Sequence, residues 1–175
     1  MGEIRLFAVM EREDDPKKCT AKKLGRFGLL KEVSALSRVP RRAVILDPEA
    51  DKALSREDLD AATRFGLGVL DCSWERLSSF PRLRGDLRHR ALPFMLAANP
   101  TNFGKAQKLS SAEALAASLY ILGQVEQAER LMAKFKWGPV FLDINRSRLD
   151  EYSACRNSAE VVSAQERMLL AADRH

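Results

Sequence analysis

Four short apolar runs, at residues 4–10, 43–46, 67–70 and 92–98, punctuate the first hundred residues, and the pattern changes from Ser110 onward. Turn residues follow each of them: Pro16 beyond an acidic loop, Asp47-Pro48, Asp71, and Asn99-Pro100. Short apolar runs bounded in this way read as buried strands. Helical segments lie between them. One is predicted over residues 17–27, weakened by Gly25. Another opens on Ser55-Arg56-Glu57-Asp58, a capping box with Asp in place of the usual Glu or Gln, and runs to about Phe65. Strands that alternate with helices imply a mainly parallel sheet.

From Ser110 the period changes. Ser110-x-x-Glu113 is a capping box, Leu115, Leu119 and Leu122 recur at helical spacing, and Gly123 supplies a stop. Further helices are predicted at 124–135, closed by Trp137-Gly138-Pro139, at about 141–155, and at 158–173. The expected fold class is therefore α/β, with an α/β domain over residues 1–104 and an all-α domain over residues 105–175. The 175 residues, 46% of them hydrophobic, are enough for a real core.

Several function classes are not expected. No run approaches the roughly 18 apolar residues of a membrane span, and Met1-Gly2-Glu3-Ile4-Arg5 lacks the apolar stretch of a signal peptide, so a cytoplasmic protein is expected. Cys19, Cys72 and Cys155 are far apart with no C-x-x-C spacing, and His89 and His175 are the only histidines. No metal is expected, and the thiols read as small hydrophobes. Neither a G-x-G-x-x-G fingerprint nor a Walker sequence is present, which argues against a dinucleotide or P-loop site.

The charge is uneven. Residues 1–110 hold 21 Lys and Arg against 15 Asp and Glu, whereas residues 111–175 hold 8 against 9. The cations gather in three clusters: Lys17, Lys18, Lys22, Lys23 and Arg26; Arg38, Arg41 and Arg42; Arg82, Arg84, Arg88 and Arg90. One cluster would read as a solvated face. Three in the half that carries the strands point to a polyanion, RNA or DNA.

In α/β proteins ligands bind at the carboxyl ends of strands. The run at 67–70 ends on Asp71, with Trp74 three residues later. Asp71 is either the N-cap of a following helix or a base or orienting acceptor, and Trp74 is either core or an apolar wall. Thr20, after a basic run, and Ser110-Ser111, after the loop 100–105, each open a helix. Each is either a plain cap or part of an anion site, and two such N-termini beside one crevice could grip one anion between them. Trp137 reads as packing.

Taken together these residues resemble the small-subunit rRNA aminocarboxypropyltransferases. The resemblance rests on Pro16-Lys17-Lys18-Cys19-Thr20-Ala21-Lys22-Lys23-Leu24, Leu46-Asp47-Pro48, Asp71-Cys72-Ser73-Trp74, the block at 90–104, Lys108-Leu109-Ser110-Ser111-x-Glu113-Ala114, and Phe135-Lys136-Trp137-Gly138, in order over about residues 1–155. It implies a fold similar to SPOUT RNA methyltransferases, with a deep trefoil knot completed, like the cofactor pocket, by the helical segment. It also implies an activity: transfer of the 3-amino-3-carboxypropyl group of S-adenosylmethionine to N3 of a pseudouridine, often N1-methylated, in small-subunit rRNA. Methylthioadenosine is the by-product. The partner implied is rRNA or a pre-ribosomal particle.

The same resemblance assigns roles. Trp74 encloses the methyl group together with Leu77, which stands where the family carries a small residue. Thr20 and Ser111 hold the carboxylate of the reacting chain. Backbone groups of Leu92 and Gln107 read the adenine edge, Leu46 packs on its face, and Leu70 contacts the ribose. Asp71 is the candidate base. Lys17, Lys22, Lys23, Arg26, Arg41, Arg82, Arg84, Arg88 and Arg90 are the expected RNA contacts. An attached helical domain would cover the surface through which SPOUT proteins pair, so a monomer is expected. Two alternatives remain open: a SPOUT RNA methyltransferase, and a non-catalytic rRNA-binding assembly factor.

Overall fold

The computed structural model describes residues 2–10, 19–71 and 86–173, with Asp71 represented by its backbone. Among these residues five strands form one sheet: β1 (Leu6–Met10), β2 (Lys31–Val33), β3 (Val44–Leu46), β4 (Leu67–Asp71) and β5 (Arg88–Arg90), in the order β2-β1-β4-β3-β5. Every pairing is parallel, as the alternating pattern predicted. The register sets Val9 opposite Leu70 and Leu46 opposite Val69. The central strands are apolar throughout because both faces are covered. Leu6 and Ala8 face one core cluster and Phe7 and Val9 the other, the two-residue alternation of a strand. Gly66 enters β4 at φ 105°, a backbone that disfavours a side chain, and a Cβ there would meet the Phe7 ring.

Six helices among the described residues accompany the sheet: α1 (Thr20–Arg26), α2 (Leu59–Phe65) after a 3₁₀ turn at Arg56–Asp58, α3 (Ser111–Ile121), α4 (Val125–Met132), α5 (Gly138–Ala154) and α6 (Ser158–Asp173). The predicted capping box at Ser110 is complete, and that at Ser55 makes one of its two bonds, the Ser55 hydroxyl having no partner among the described residues. The Ser55 N–H donates to the Asp58 carboxylate at 3.2 Å, so Asp does serve in that position. At α3, Ser110 Oγ accepts from the Glu113 N–H while the Ser110 N–H donates to Glu113 Oε1 at 2.9 Å. Gly123, at φ 89°, follows α3 as predicted. α5 begins three residues before its predicted start because Pro139 fits the first turn, where an N–H would lack a partner anyway. No helix among the described residues is long and apolar enough to cross a membrane.

α3 is buried on nearly every side. It is the axis of the main core, which runs from Ile4 and Leu6 through Leu115 and Leu119 to Phe141, Tyr152 and Val161. Sheet and helices thus share one core cluster.

Three expectations about strands need correction. The first strand starts at Leu6. Ile4 is paired instead by a side chain, its N–H donating to Gln127 Oε1 at 3.0 Å and its carbonyl accepting from Gln127 Nε2 at 2.8 Å. The short strand β2 was not predicted; its Lys31 and Glu32 are exposed at the sheet edge. Residues 92–98 do not form a strand, and the fifth strand is the polar Arg88–Arg90. The apolar run is nevertheless extended and largely buried, and its backbone is satisfied in another way. The N–H groups of Phe94, Leu96 and Ala98 donate to Gln165 Oε1 at 2.7 Å, Asn145 Oδ1 at 2.9 Å and Glu113 Oε2 at 2.6 Å. Along the other edge the Ala97 N–H donates to the Lys105 carbonyl and the Gln107 N–H to the Met95 carbonyl. Burial made the run read as a strand. Its polar groups, however, meet helix side chains and a local turn rather than a sheet.

Candidate active site

A cavity of about 580 Å³ opens at the carboxyl ends of β3 and β4, where the open-sheet rule puts a ligand. Leu46 and Asp47 contribute the end of β3, and Val69 and Leu70 that of β4. The extended segment supplies Leu92, Pro93 and Met95, the turn before α3 supplies Gln107 and Lys108, and α3 itself supplies Ser111. Five expected site residues, Leu46, Leu70, Leu92, Gln107 and Ser111, therefore line one cavity.

Thr20 stands beside them. Its hydroxyl accepts the Ala112 N–H at 3.0 Å, 92 positions away in sequence. This bond brings the N-terminus of α1 to that of α3, the pairing of helix ends that the sequence suggested. The Thr20 O–H can still donate. Ser111, the first residue of α3, makes no hydrogen bond through its hydroxyl or N–H among the described residues, and it faces the cavity. Such an end suits a carboxylate. Glu113 already serves the same helix end from inside: fully buried, it accepts from the Ala98 N–H, Asn99 Nδ2, the Ser110 N–H and Ser110 Oγ at 2.6–3.0 Å. The Asn99 amide carries the grip onward to the Lys108 carbonyl at 3.1 Å. The loop that lines the cavity is thus tied to the helix that ends there.

The peptide groups are equally specific. Gln107 adopts φ 61°, a left-handed conformation that costs a non-glycine residue about 1–3 kcal/mol and persists only where its surroundings enforce it. With its N–H committed to Met95, the carbonyl is the Gln107 backbone group that can meet a ligand. Leu92 makes no backbone hydrogen bond among the described residues. Both residues line the cavity, so these peptide groups are available to the donor and acceptor edge of a ligand.

Asp47 has no role in the sequence reading, where Asp47-Pro48 marks the end of a strand and Leu46-Asp47-Pro48 one block of the resemblance. It is 7% exposed on the cavity wall; one carboxylate oxygen accepts the Glu49 N–H at 2.9 Å and the other lies 3.5 Å from His89 Nδ1. A buried carboxylate at this position favours a cationic ligand. Its position at the end of a parallel strand, within a block that carries the resemblance, was the signal available.

Trp74, Leu77, Lys17, Arg82 and Arg84 lie outside the described residues, as does the carboxyl group of Asp71. The Asp71 backbone ends β4, opposite Met10 and next to Leu70 of the cavity wall. Of the other expected RNA contacts, Lys22, Lys23 and Arg26 lie along α1, and Arg41 is exposed with Asp86 at 3.4 Å. Arg88 and Arg90 are held differently. Both reach the fully buried Asp58, Arg90 Nε at 3.0 Å and Arg88 at 3.3 Å, and the Arg90 side chain is only 12% exposed. They hold β5 to the turn before α2.

Behind the extended segment, the Tyr152 hydroxyl donates to the Phe94 carbonyl at 2.9 Å, and burial pushes its pKa up to about 12. Burial and a hydrogen bond to Asp150 likewise raise the Tyr120 phenol.

Comparison with known proteins follows the same lines. Residues 44–169 match the family described as "Ribosome biogenesis protein, C-terminal". Residues 4–35 match a "Possible Fer4-like domain in RNase L inhibitor, RLI". That stretch holds one cysteine, Cys19, which does not furnish the thiolate set of an iron–sulfur cluster. Proteins named 16S rRNA aminocarboxypropyltransferase are similar over most of their length. The one from Methanosarcina acetivorans is 52% identical over 93% of both chains. That from Methanopyrus kandleri is 53% identical over 90% of this chain and 94% of its own. Among solved structures, the SAM-dependent rRNA:acp-transferase Tsr3 from Vulcanisaeta distributa superposes with a TM-score of 0.83 at 37% identity, covering 96% of this chain and 97% of that one.

Proposed function

The chain belongs to the 16S rRNA aminocarboxypropyltransferase family and is an S-adenosylmethionine-dependent rRNA aminocarboxypropyltransferase; from that premise we propose that it alkylates N3 of a pseudouridine or N1-methylpseudouridine in small-subunit rRNA and releases methylthioadenosine. The observation that carries this reading is the cavity at the ends of β3 and β4, where five of the expected residues meet beside two helix N-termini. Its polar ends suit the two ends of S-adenosylmethionine: peptide groups at Leu92 and Gln107 for the adenine, and hydroxyls at Thr20 and Ser111 for the carboxylate.

In this reading Leu46 packs on the adenine face, Leu70 meets the ribose, and Asp47 offsets the positive charge of the sulfonium. The sulfonium makes each attached carbon open to displacement, so the chain's task is to choose one. Trp74 and Leu77 enclose the methyl carbon, leaving the carbon of the aminocarboxypropyl chain to face the acceptor. The N3–carbon bond forms as the carbon–sulfur bond breaks, sulfur leaves as a neutral thioether, and Asp71 receives the N3 proton. Positioning of this kind can contribute about 7–11 kcal/mol. Residues 1–104 supply the sheet and most RNA contacts, residues 105–175 complete the pocket and a trefoil knot, and the enzyme works as a cytoplasmic monomer without a metal.

The test uses unmodified small-subunit rRNA and S-adenosylmethionine labelled in either the carboxyl carbon or the methyl group. Carboxyl label in the RNA is expected. Methyl label would mean a methyltransferase, and RNA binding with no label a non-catalytic assembly factor.

A further inference from the structure

The charge split along the chain assigns RNA binding to the first 110 residues, but the fold brings part of the helical half onto the same surface. At the end of α1, Phe27 is 52% exposed. At the junction of α4 and α5, Lys134 and Lys136 are exposed on either side of the buried Phe135. The two segments lie more than 100 positions apart and cross reciprocally. Lys23 of α1 sets its ammonium 4.9 Å from the Phe135 ring centre, and Lys134 sets its own 4.8 Å from that of Phe27. Each ring fixes a lysine from the other segment, so the charges are held in place before a ligand arrives. Lys22 and Arg26 extend the patch along α1; Glu32 is the acidic neighbour, packed against Gly25. α1 rises about 1.5 Å per residue from Thr20, whose hydroxyl accepts the N–H of Ala112, the neighbour of Ser111 in the cavity lining. The patch therefore begins within roughly 10 Å of the proposed carboxylate site.

We infer that Lys134 and Lys136 join Lys22, Lys23, Arg26 and Phe27 in one surface that grips the backbone of the rRNA segment flanking the acceptor nucleotide. This rests on the rRNA reading above and deepens it. Cations interleaved with an exposed aromatic ring match single-stranded or looped RNA, whose phosphates take the lysines and whose unstacked bases take the ring.

The experiment measures binding of a small-subunit rRNA hairpin fragment by the full chain across a salt series, for the wild type and for Lys134→Glu/Lys136→Glu. Each phosphate contact contributes about 0.7–0.9 to the slope of log affinity against log salt. The double variant should lower that slope by about 1.5, with S-adenosylmethionine affinity unchanged. Should Lys134→Glu loosen the crossing and lower Tm, Lys136→Glu alone still decides, with an expected slope change of about 0.8. An unchanged slope in Lys136→Glu, in a wild type that transfers carboxyl label to rRNA, overturns the inference and spares the enzyme reading. Failure of the wild type to transfer label overturns that reading instead.

Discussion

The carboxamide of Asn145 closes on both backbone groups of Leu96: its Oδ1 accepts the Leu96 N–H at 2.9 Å, and its Nδ2 donates to the Leu96 carbonyl at 2.8 Å. A side chain from α5 thus takes the place of a neighbouring strand, and it holds the segment whose Leu92, Pro93 and Met95 line the cavity. Gln127 treats Ile4 in the same way at the opposite, amino-terminal end of the sheet.

The two amides make a matched pair of tests. Either change, Asn145→Leu or Gln127→Leu, strands two buried backbone groups at about 1–3 kcal/mol each and should lower Tm by several degrees in a chain of this size. Only Asn145→Leu should also weaken S-adenosylmethionine binding, measured by calorimetry well below either Tm, because Ile4 does not line the cavity. Equal affinity in both variants would show that Asn145 supports the fold without positioning the site.

Variants of Asp71 and Trp74 test the two roles proposed for them, base and methyl-pocket wall. A general base contributes about 10²–10⁴-fold, so Asp71→Asn should slow transfer by that order while S-adenosylmethionine affinity holds. Trp74→Ala should weaken binding and let methyl label enter the RNA. Full activity and affinity in Trp74→Ala would remove the wall from the mechanism.

Arg90 offers a contrast with the RNA surface. Its partner Asp58 is fully buried, and removing one side of a buried ion pair typically costs about 3–5 kcal/mol. The remaining Arg88 contact puts Arg90→Ala at the low end of that range. The expected result is a large fall in Tm and little change in the salt slope of RNA binding per folded molecule. A reduced slope with an unchanged Tm would instead return Arg90 to the phosphate contacts.

Tyr152 sets an alkaline limit. Its pKa stands near 12 in the fold because burial disfavours the phenolate, against about 10 for a free tyrosine. A raised folded pKa contributes stability that is fully present below pH 10 and lost as pH rises toward 12. Denaturant melts across that window should show wild-type stability falling more steeply than that of Tyr152→Phe. Tyr120 shifts in the same direction, so some slope should remain in the variant.

The parallel α/β arrangement, the capping box at Ser110 and half of that at Ser55, the stop at Gly123 and five of the residues that line the cavity were legible in the sequence. These follow from local rules: apolar runs between turn residues, Ser with Glu or Asp three positions on, and motifs that stand in order along the chain. Tertiary structure decided what local rules do not carry. Residues 92–98 have the burial of a strand but hand their hydrogen bonds to Gln165, Asn145 and Glu113, partners that no window of sequence brings near. Arg88 and Arg90 read as free cations until the fold set the buried Asp58 beneath them. Asp47 became part of the site only when β3 and β4 ended side by side. Lys134, in a half of the chain with no excess of positive charge, reached the basic surface because Phe27 lay where its ammonium could rest. Periodicity and capping act over a few residues and are written in the chain; ion pairs, amide clamps and charge surfaces depend on distances that exist only once it has folded.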